Sequence, residues 1–274
     1  MLELAGIQVD AISVGGLRTC IQLPKMGLAF DMGCCPPSSV SRRTVLFTHA
    51  HTDHMASVVL HCATRDLTGM KPPHYVIPPE NAEAFEELFA VWRKLDRSSL
   101  PCNIHPLGPG KEYALSKGRI ARPVRAYHRV AAQGYVIAER KQKLKAEWIG
   151  KNHTEIRAAR MAGVEITNTV ESIAAAFTGD SRIEILDKNP EMYRARLLMM
   201  EVTFIDDKVP VERARSQGHI HLDEVIARAD RFENEAILFT HLSARYDARR
   251  AEEVLKARLP AHLLERVTLL HPPA

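Results

Sequence analysis

The stretch Thr44-Val45-Leu46-Phe47-Thr48-His49-Ala50-His51-Thr52-Asp53-His54 decides how the rest of the chain is read. Its opening run, Thr44 to Phe47, has the β-branched and aromatic make-up of a buried strand. Three histidines and an aspartate then crowd into six residues. In extended backbone alternate side chains share a face, so His49 and His51 can address one cation. Asp53 and His54, where the chain turns into a helix, can address a second. Imidazole and carboxylate suit zinc, and also iron or manganese, while the lack of a nearby thiolate argues against a purely structural zinc knot. Surface or capping histidines are the other reading, and a hydrophobic strand running straight into four donors argues against it.

At 274 residues, 46% hydrophobic and 26% charged, the chain can bury one large core, and a single domain carrying an insertion is expected. No apolar stretch is long enough to cross a bilayer, and Met1-Leu2-Glu3-Leu4 lacks the basic start of a secretory signal. A cytoplasmic location with no membrane partner is the expectation. The five cysteines (Cys20, Cys34, Cys35, Cys62 and Cys102) show no C-x-x-C spacing and read as reduced packing residues rather than catalytic thiols.

Working outward, Ile7 to Val14, Thr19 to Leu23 and Leu28 to Asp31 read as strands of a meander that leads to the strand before His49. Ala84, Phe85, Leu88, Phe89, Trp92 and Leu95 recur at helical spacing after Asn81, a candidate N-cap, and predict a helix with one face on a sheet. Strands are predicted at Ala174 to Thr178, Leu197 to Phe204 and Ala236 to Thr240, and helices near Leu222 to Phe232 and Asp247 to Leu259. Strands interleaved with one-sided helices in two similar halves fit two sheets packed face to face with helices outside, a four-layered α/β sandwich.

Ligands in such a fold gather where loops leave strand ends. His128 after Pro123 to Tyr127, Asp180 after Ala174 to Gly179, and His241 after Ile237 to Thr240 occupy such places. Each alone could be a hydrogen-bonded histidine or a turn aspartate; together with the first cluster they complete a ligand set.

The chain resembles ribonuclease Z, the tRNA 3′-processing endonuclease of the metallo-β-lactamase superfamily, in the short form found in plants. The resemblance runs through Phe30-Asp31-Met32-Gly33, the His49 to His54 cluster, Met70-Lys71-Pro72-Pro73, Gln133-Gly134-Tyr135, Phe177-Thr178-Gly179-Asp180, Gly218-His219-Ile220-His221 and His241-Leu242-Ser243-Ala244-Arg245-Tyr246. It implies two zinc ions per chain, one on His49, His51 and His128, the other on Asp53, His54 and His241, with Asp180 bridging. A hydroxide shared by the ions would be the nucleophile, and Asp53 would orient it. The resemblance assigns protonation of the leaving ribose oxygen to His219, backed by Glu201. The residue types alone leave His219 and His221 equally open as caps of the helix near Leu222. Asp31 reads as a carboxylate behind the ligands. Precursor tRNA is the implied substrate and a homodimer the implied assembly. A dinuclear-zinc hydrolase of the same fold acting on a small phosphodiester, lactone or thioester is the alternative.

The formal net charge of +4 is too small to identify a nucleic-acid partner. Its placement says more: between Glu139 and Arg160 stand seven basic residues against three acidic ones. This segment, extending to about residue 165 and carrying Lys143, Lys145 and Trp148, reads either as a solvated charged helix or as an arm that grips RNA phosphates. The resemblance favours the arm. Ser243 and Arg245 are candidates for substrate phosphate, with a structural ion pair the other reading of Arg245.

Overall fold

In the computed structural model, which describes residues 1–270, two sheets of seven strands each carry the chain in sequence order. The first holds β1 (Leu2–Leu4), β2 (Ile7–Val14), β3 (Arg18–Leu23), β4 (Leu28–Phe30), β5 (Thr44–Leu46), β6 (His74–Ile77) and β7 (Asn103–Pro106). The second holds β8 (Tyr113–Ala114), β9 (Arg119–Arg125), β10 (Gln133–Leu144), β11 (Thr167–Phe177), β12 (Leu197–Glu201), β13 (Ala236–Thr240) and β14 (Val267–Leu269). The helices are α1 (Thr52–Met55), α2 (Val58–Leu67), α3 (Ala82–Asp96), α4 (His153–Met161), α5 (Glu184–Lys188), α6 (Val211–Gln217), α7 (Leu222–Ile226), α8 (Ala248–Arg258) and α9 (Ala261–Leu264). The expected meander covers only the antiparallel strands β1 to β4; from β4 to β7 the pairing is parallel.

Alternation along buried strands sorts the side chains into layers. Leu28, Phe30, Leu46 and Val76 of the first sheet meet Phe177, Met199 and Leu238 of the second in a core between the sheets. The residues between them face outward. Ala29, Val45, Phe47 and Tyr75 pack under Val58 and Cys62 of α2 and Phe85 and Phe89 of α3. Leu198, Met200, Ile237 and Phe239 pack under α5, α7 and α8. This is the expected helix, sheet, sheet, helix sandwich.

Several local expectations are corrected. Asn81 stands at the N-terminus of α3 but caps nothing, because a 3-10 turn (Pro79–Asn81) runs directly into the helix and leaves Asn81 at φ −95°, ψ −1° rather than in the extended conformation a cap needs. Only Phe85 and Phe89 of the predicted apolar face are buried; Leu88, Trp92 and Leu95 are 37%, 43% and 69% exposed. The strand beginning at Leu197 stops at Glu201, not Phe204. The helix predicted from Leu222 to Phe232 breaks after Ile226: Arg228 leaves the helical region at φ −119° and sends its guanidinium to Asp187.

The segment after Glu139 is not the single charged helix of one reading. β9 pairs with β10 only as far as Glu139, beyond which Arg140 to Leu144 pair with Thr167 to Glu171 alone. The result is a two-stranded ribbon that continues past the sheet, joined by a turn around Trp148 and by α4, whose first turn is closed by an Asn152–Glu155 capping box. At the ribbon's base, Arg122 and Arg140 share Glu112 and Glu171 in a four-member ion-pair network.

Two contacts stitch the sheets together at the ends where the loops of interest emerge. His241 N donates to Ser13 Oγ at 3.0 Å and Gly15 N donates to Leu242 O at 3.0 Å, joining the beginning of the chain to its last quarter.

Candidate metal centre

All seven predicted ligands sit at the same edge of the two sheets. The first sheet supplies His49 and His51 from the loop after β5 and Asp53 and His54 from α1; the second supplies His128 after β9, Asp180 after β11 and His241 after β13.

Asp31 organises the first group. It leaves β4 at φ 58° and is fully buried, and its carboxylate accepts from Thr48 N at 2.7 Å, from Thr48 Oγ1 at 2.9 Å and from His54 Nδ1 at 2.8 Å. α1 is pressed onto the same turn: Met32 N donates to His54 O at 2.7 Å, and a Cβ added to Gly33 would lie 1.7 Å from Asp53 O, which explains the glycine. Asp53 Oδ2 accepts from Gly16 N at 3.0 Å.

The ring orientations point inward. His49 Nδ1 lies 3.0 Å from Thr48 Oγ1, His54 Nδ1 is tied to Asp31, His128 Nδ1 lies 2.9 Å from Gly218 O, and His241 Nδ1 lies 3.0 Å from Thr203 Oγ1. A carbonyl or carboxylate at Nδ1, or a hydroxyl whose own proton goes to a carboxylate as Thr48 gives its to Asp31 and Thr203 to Glu201, makes that nitrogen the N–H and leaves Nε2 with a free lone pair. Those Nε2 atoms converge: His49 Nε2 and His128 Nε2 lie 3.0 and 3.3 Å from His51 Nδ1. On the other side, His54 Nε2 and His241 Nε2 lie 3.3 and 3.2 Å from the two oxygens of Asp180, and 3.6 and 3.4 Å from Asp53 Oδ2.

The donors thus form two groups, His49, His51, His128 and Asp180, and Asp53, His54 and His241, each with its atoms within 4.8 Å of one another. Asp180 also reaches a third set with His219 and His241. Buried lone pairs and carboxylates facing each other are the donor set of divalent cations, and His54 Nε2 is fully buried with no hydrogen-bond partner.

Electrostatics among the protein groups agree. Burial lowers the His49 pKa well below the usual imidazole value. Burial also opposes a charge on His54, but Asp180 and Asp31 outweigh it and hold that pKa well above normal. Burial would raise Asp180, yet His241 and His54 keep its carboxyl well below the usual range. The carboxylates that favour a proton on His54 favour a metal cation in the same place, so metal uptake displaces the proton.

Beside the cluster, Glu201 is fully buried and accepts from Ser181 N, from Thr203 Oγ1 and from His219 Nδ1, the last at 2.9 Å. Burial works against a charged His219, but Glu201 prevails and the pKa is pushed up to about 9. His221, by contrast, caps α7: its ring accepts from Asp223 N at 3.1 Å and Glu224 closes the box. The two histidines therefore take different places.

Ser243 and Arg245 reach the rim beside His241. Arg245 donates Nε to Ser243 Oγ at 3.0 Å and lies over the Phe204 ring, with no carboxylate partner among the described residues. Lys143, Lys145 and Trp148 are carried on the ribbon and its turn, apart from the cluster, and Lys145 meets Glu165. Sequence reasoning missed Thr48, Ser181 and Thr203, the hydroxyl residues that link ligands to carboxylates. All three stand directly beside a residue that was singled out or two positions from one, and that adjacency was the available signal.

Asp31→Asn retains a residue that tolerates positive φ but weakens the hold on His54. Metal affinity is expected to fall about 10- to 100-fold, measured by competition with a chromogenic chelator; unchanged affinity would remove Asp31 from this role.

The β-lactamase superfamily domain family matches residues 35–242. Among curated proteins, tRNase Z TRZ1 of Arabidopsis thaliana is 40% identical over 98% of this chain and 96% of its own length. The chloroplastic tRNase Z TRZ2 of the same plant is 34% identical over 93% of this chain and 72% of its own length. Among solved structures, human tRNase Z, short form, superposes with a TM-score of 0.61 at 16% identity, covering 97% of this chain and 99% of that one, which bears on the fold. The chain, which gathers imidazole and carboxylate donors suited to a divalent metal at one edge of its sheets, belongs to the tRNase Z family of the β-lactamase superfamily.

Proposed function

We propose that this protein is a metal-dependent endoribonuclease that cuts precursor tRNA on the 3′ side of the discriminator base, leaving a 3′-hydroxyl on the tRNA and a 5′-phosphate on the trailer. The observation that carries the reading is the buried Glu201–His219 pair beside the convergent donors, in a chain of the tRNase Z family.

His49, His51 and His128 would hold one ion and Asp53, His54 and His241 the other, with Asp180 placed between the two sets. Two zinc ions fit this set, and manganese or iron are compatible with it. When bound, the cations supply Lewis acidity toward a phosphate and water that ionises near neutral pH.

The protein's own groups do the rest. Asp53, held by Gly16 N, steers the attacking water. A ribose oxygen leaves as a poor alkoxide unless it is protonated, and His219 supplies that proton, with Glu201 fixing its Nδ1 and keeping the ring charged. A thioester releases a stabilised thiolate that needs no such donor, which favours a phosphodiester. Ser243 and Arg245 meet substrate phosphate at the rim. The arm from Glu139 to about residue 165, with Lys143, Lys145 and Trp148, grips the RNA away from the cut. A homodimer is supported by the exposed apolar side chains of Leu60, Leu67, Val91, Trp92 and Leu95 on α2 and α3. The free cysteines suit a reducing compartment such as the cytoplasm.

Incubating the protein with a trailer-bearing precursor tRNA, beside a panel of small esters and phosphodiesters, should give tRNA with a 3′-hydroxyl end. Turnover of a small ester with the RNA left intact would overturn the reading.

His219→Ala should lower cleavage on the order of 10²- to 10⁴-fold while metal content stays at two per chain; loss of metal would make His219 a ligand instead. A proton donor works only while protonated, so kcat/KM should decline as pH rises through about 9. In Glu201→Gln that decline should move to lower pH, and an unmoved basic limb would count against the pair.

Removing the arm should weaken RNA binding and flatten its salt dependence far more than it slows turnover of a small chromogenic phosphodiester. Equal losses on both would mark the segment as part of the fold.

A further inference from the structure

Several arginines in this protein are tied to carboxylates. Arg122, Arg140, Arg215, Arg228 and Arg258 each direct a guanidinium at one or more carboxylates. Arg125 and Arg182 are not so engaged. Among the described residues neither guanidinium has an ion pair or a side-chain hydrogen bond; what both have is the same aromatic ring, Tyr127, at 5.7 and 5.9 Å from its centroid. Glu184, two residues on, is paired with Arg215 and feels Arg182 only as a nearby charge.

The ring is half-buried against the core under the second sheet, so it is a fixed platform. Its backbone is equally fixed: Tyr127 N donates to Ser181 Oγ at 2.9 Å, and Arg182 N donates to Tyr127 O at 3.1 Å. Ser181 N in turn donates to Glu201 Oε1 at 2.9 Å. Tyr127 immediately precedes His128, and Arg182 stands two residues after Asp180. The two arginines are thereby held in register with the metal donors and the proton-donating pair.

A guanidinium lying over a ring keeps its N–H donors in its own plane, free for an oxyanion. An oxyanion can accept from either planar fork, and the shared ring keeps both guanidiniums in one neighbourhood. We infer that Arg125, Tyr127 and Arg182 form a phosphate clamp beside His128, which takes backbone phosphates of the nucleic acid entering the site. This rests on the RNA-cleaving reading above. It adds an anchoring point beside the centre, separate from the arm.

The test is equilibrium binding of fluorescently labelled precursor tRNA by anisotropy across a salt series, which does not depend on cleavage. The double variant Arg125→Gln with Arg182→Gln should bind at least about tenfold more weakly at moderate salt. The slope of log affinity against log salt should become shallower by about 2. Arg125→Lys with Arg182→Lys keeps the charges without the planar fork, so it should restore the slope and part of the affinity. Metal content equal to wild type shows that the centre is intact in each variant. A wild-type slope in the glutamine pair, or a lysine pair as weak as the glutamine pair, would overturn the clamp. Wild-type protein that binds the RNA but never cuts it would instead overturn the proposed reaction and leave the clamp to stand or fall on the slopes.

Discussion

A fully buried carboxylate, Asp31, is the constraint from which the site follows. Burial raises its pKa, while His54 and then Thr48 pull it back. Leaving such a group without partners would cost several kcal/mol, so the loop after β5 and the single turn of α1 are bound to it and to each other. His49 follows Thr48 directly and Asp53 precedes His54, so one anion behind the cluster sets the position of three donors in front of it. The positive φ of Asp31 and the close approach of Gly33 to Asp53 are local strain accepted to bring that turn within reach.

A second set of bonds couples the clustered metal donors to His219, the proposed proton donor. Thr203 gives its hydroxyl proton to Glu201 and thereby offers a lone pair to His241 Nδ1, while Ser181, next to Asp180, gives its amide to the other oxygen of Glu201. Ligand, carboxylate and imidazole thus share small hydroxyl residues between them. A side chain that shifts at one position is felt at the others, and the fit does not rest on long flexible groups.

Much of this was legible in the sequence because it is periodic or clustered. The His49 to His54 run, and the single donors His128, Asp180 and His241 placed just past apolar strands, follow from strand alternation and from loops opening at strand ends. The two-layered sheet packing is written in runs such as Leu197 to Met200, apolar at every position because both faces are covered. What escaped depended on tertiary context. Nothing local announces that Arg228 will leave a helix to reach Asp187, or that the turn at Pro79 will enter α3 in a helical conformation and leave Asn81 without a capping role. The exposed Trp92 and Leu95 obey helical spacing, yet of that face only Phe85 and Phe89 are buried in the core. Hydroxyl residues such as Ser181 and Thr203 had only their adjacency to singled-out residues to mark them, and their three-dimensional neighbours show what they hold.

The stitching of His241 to Ser13 and of Gly15 to Leu242 places the opening strands of the chain against its last quarter at the rim of the centre. Each half alone brings an incomplete set of donors: the first lacks His128, Asp180 and His241, and the second lacks everything before them. Contacts of such long sequence separation form late, after the loops between them have been closed. A nascent or half-denatured chain therefore carries no assembled scissors, and the capacity to break RNA appears only once both halves have met, a safeguard that the topology itself provides in a cell full of transcripts.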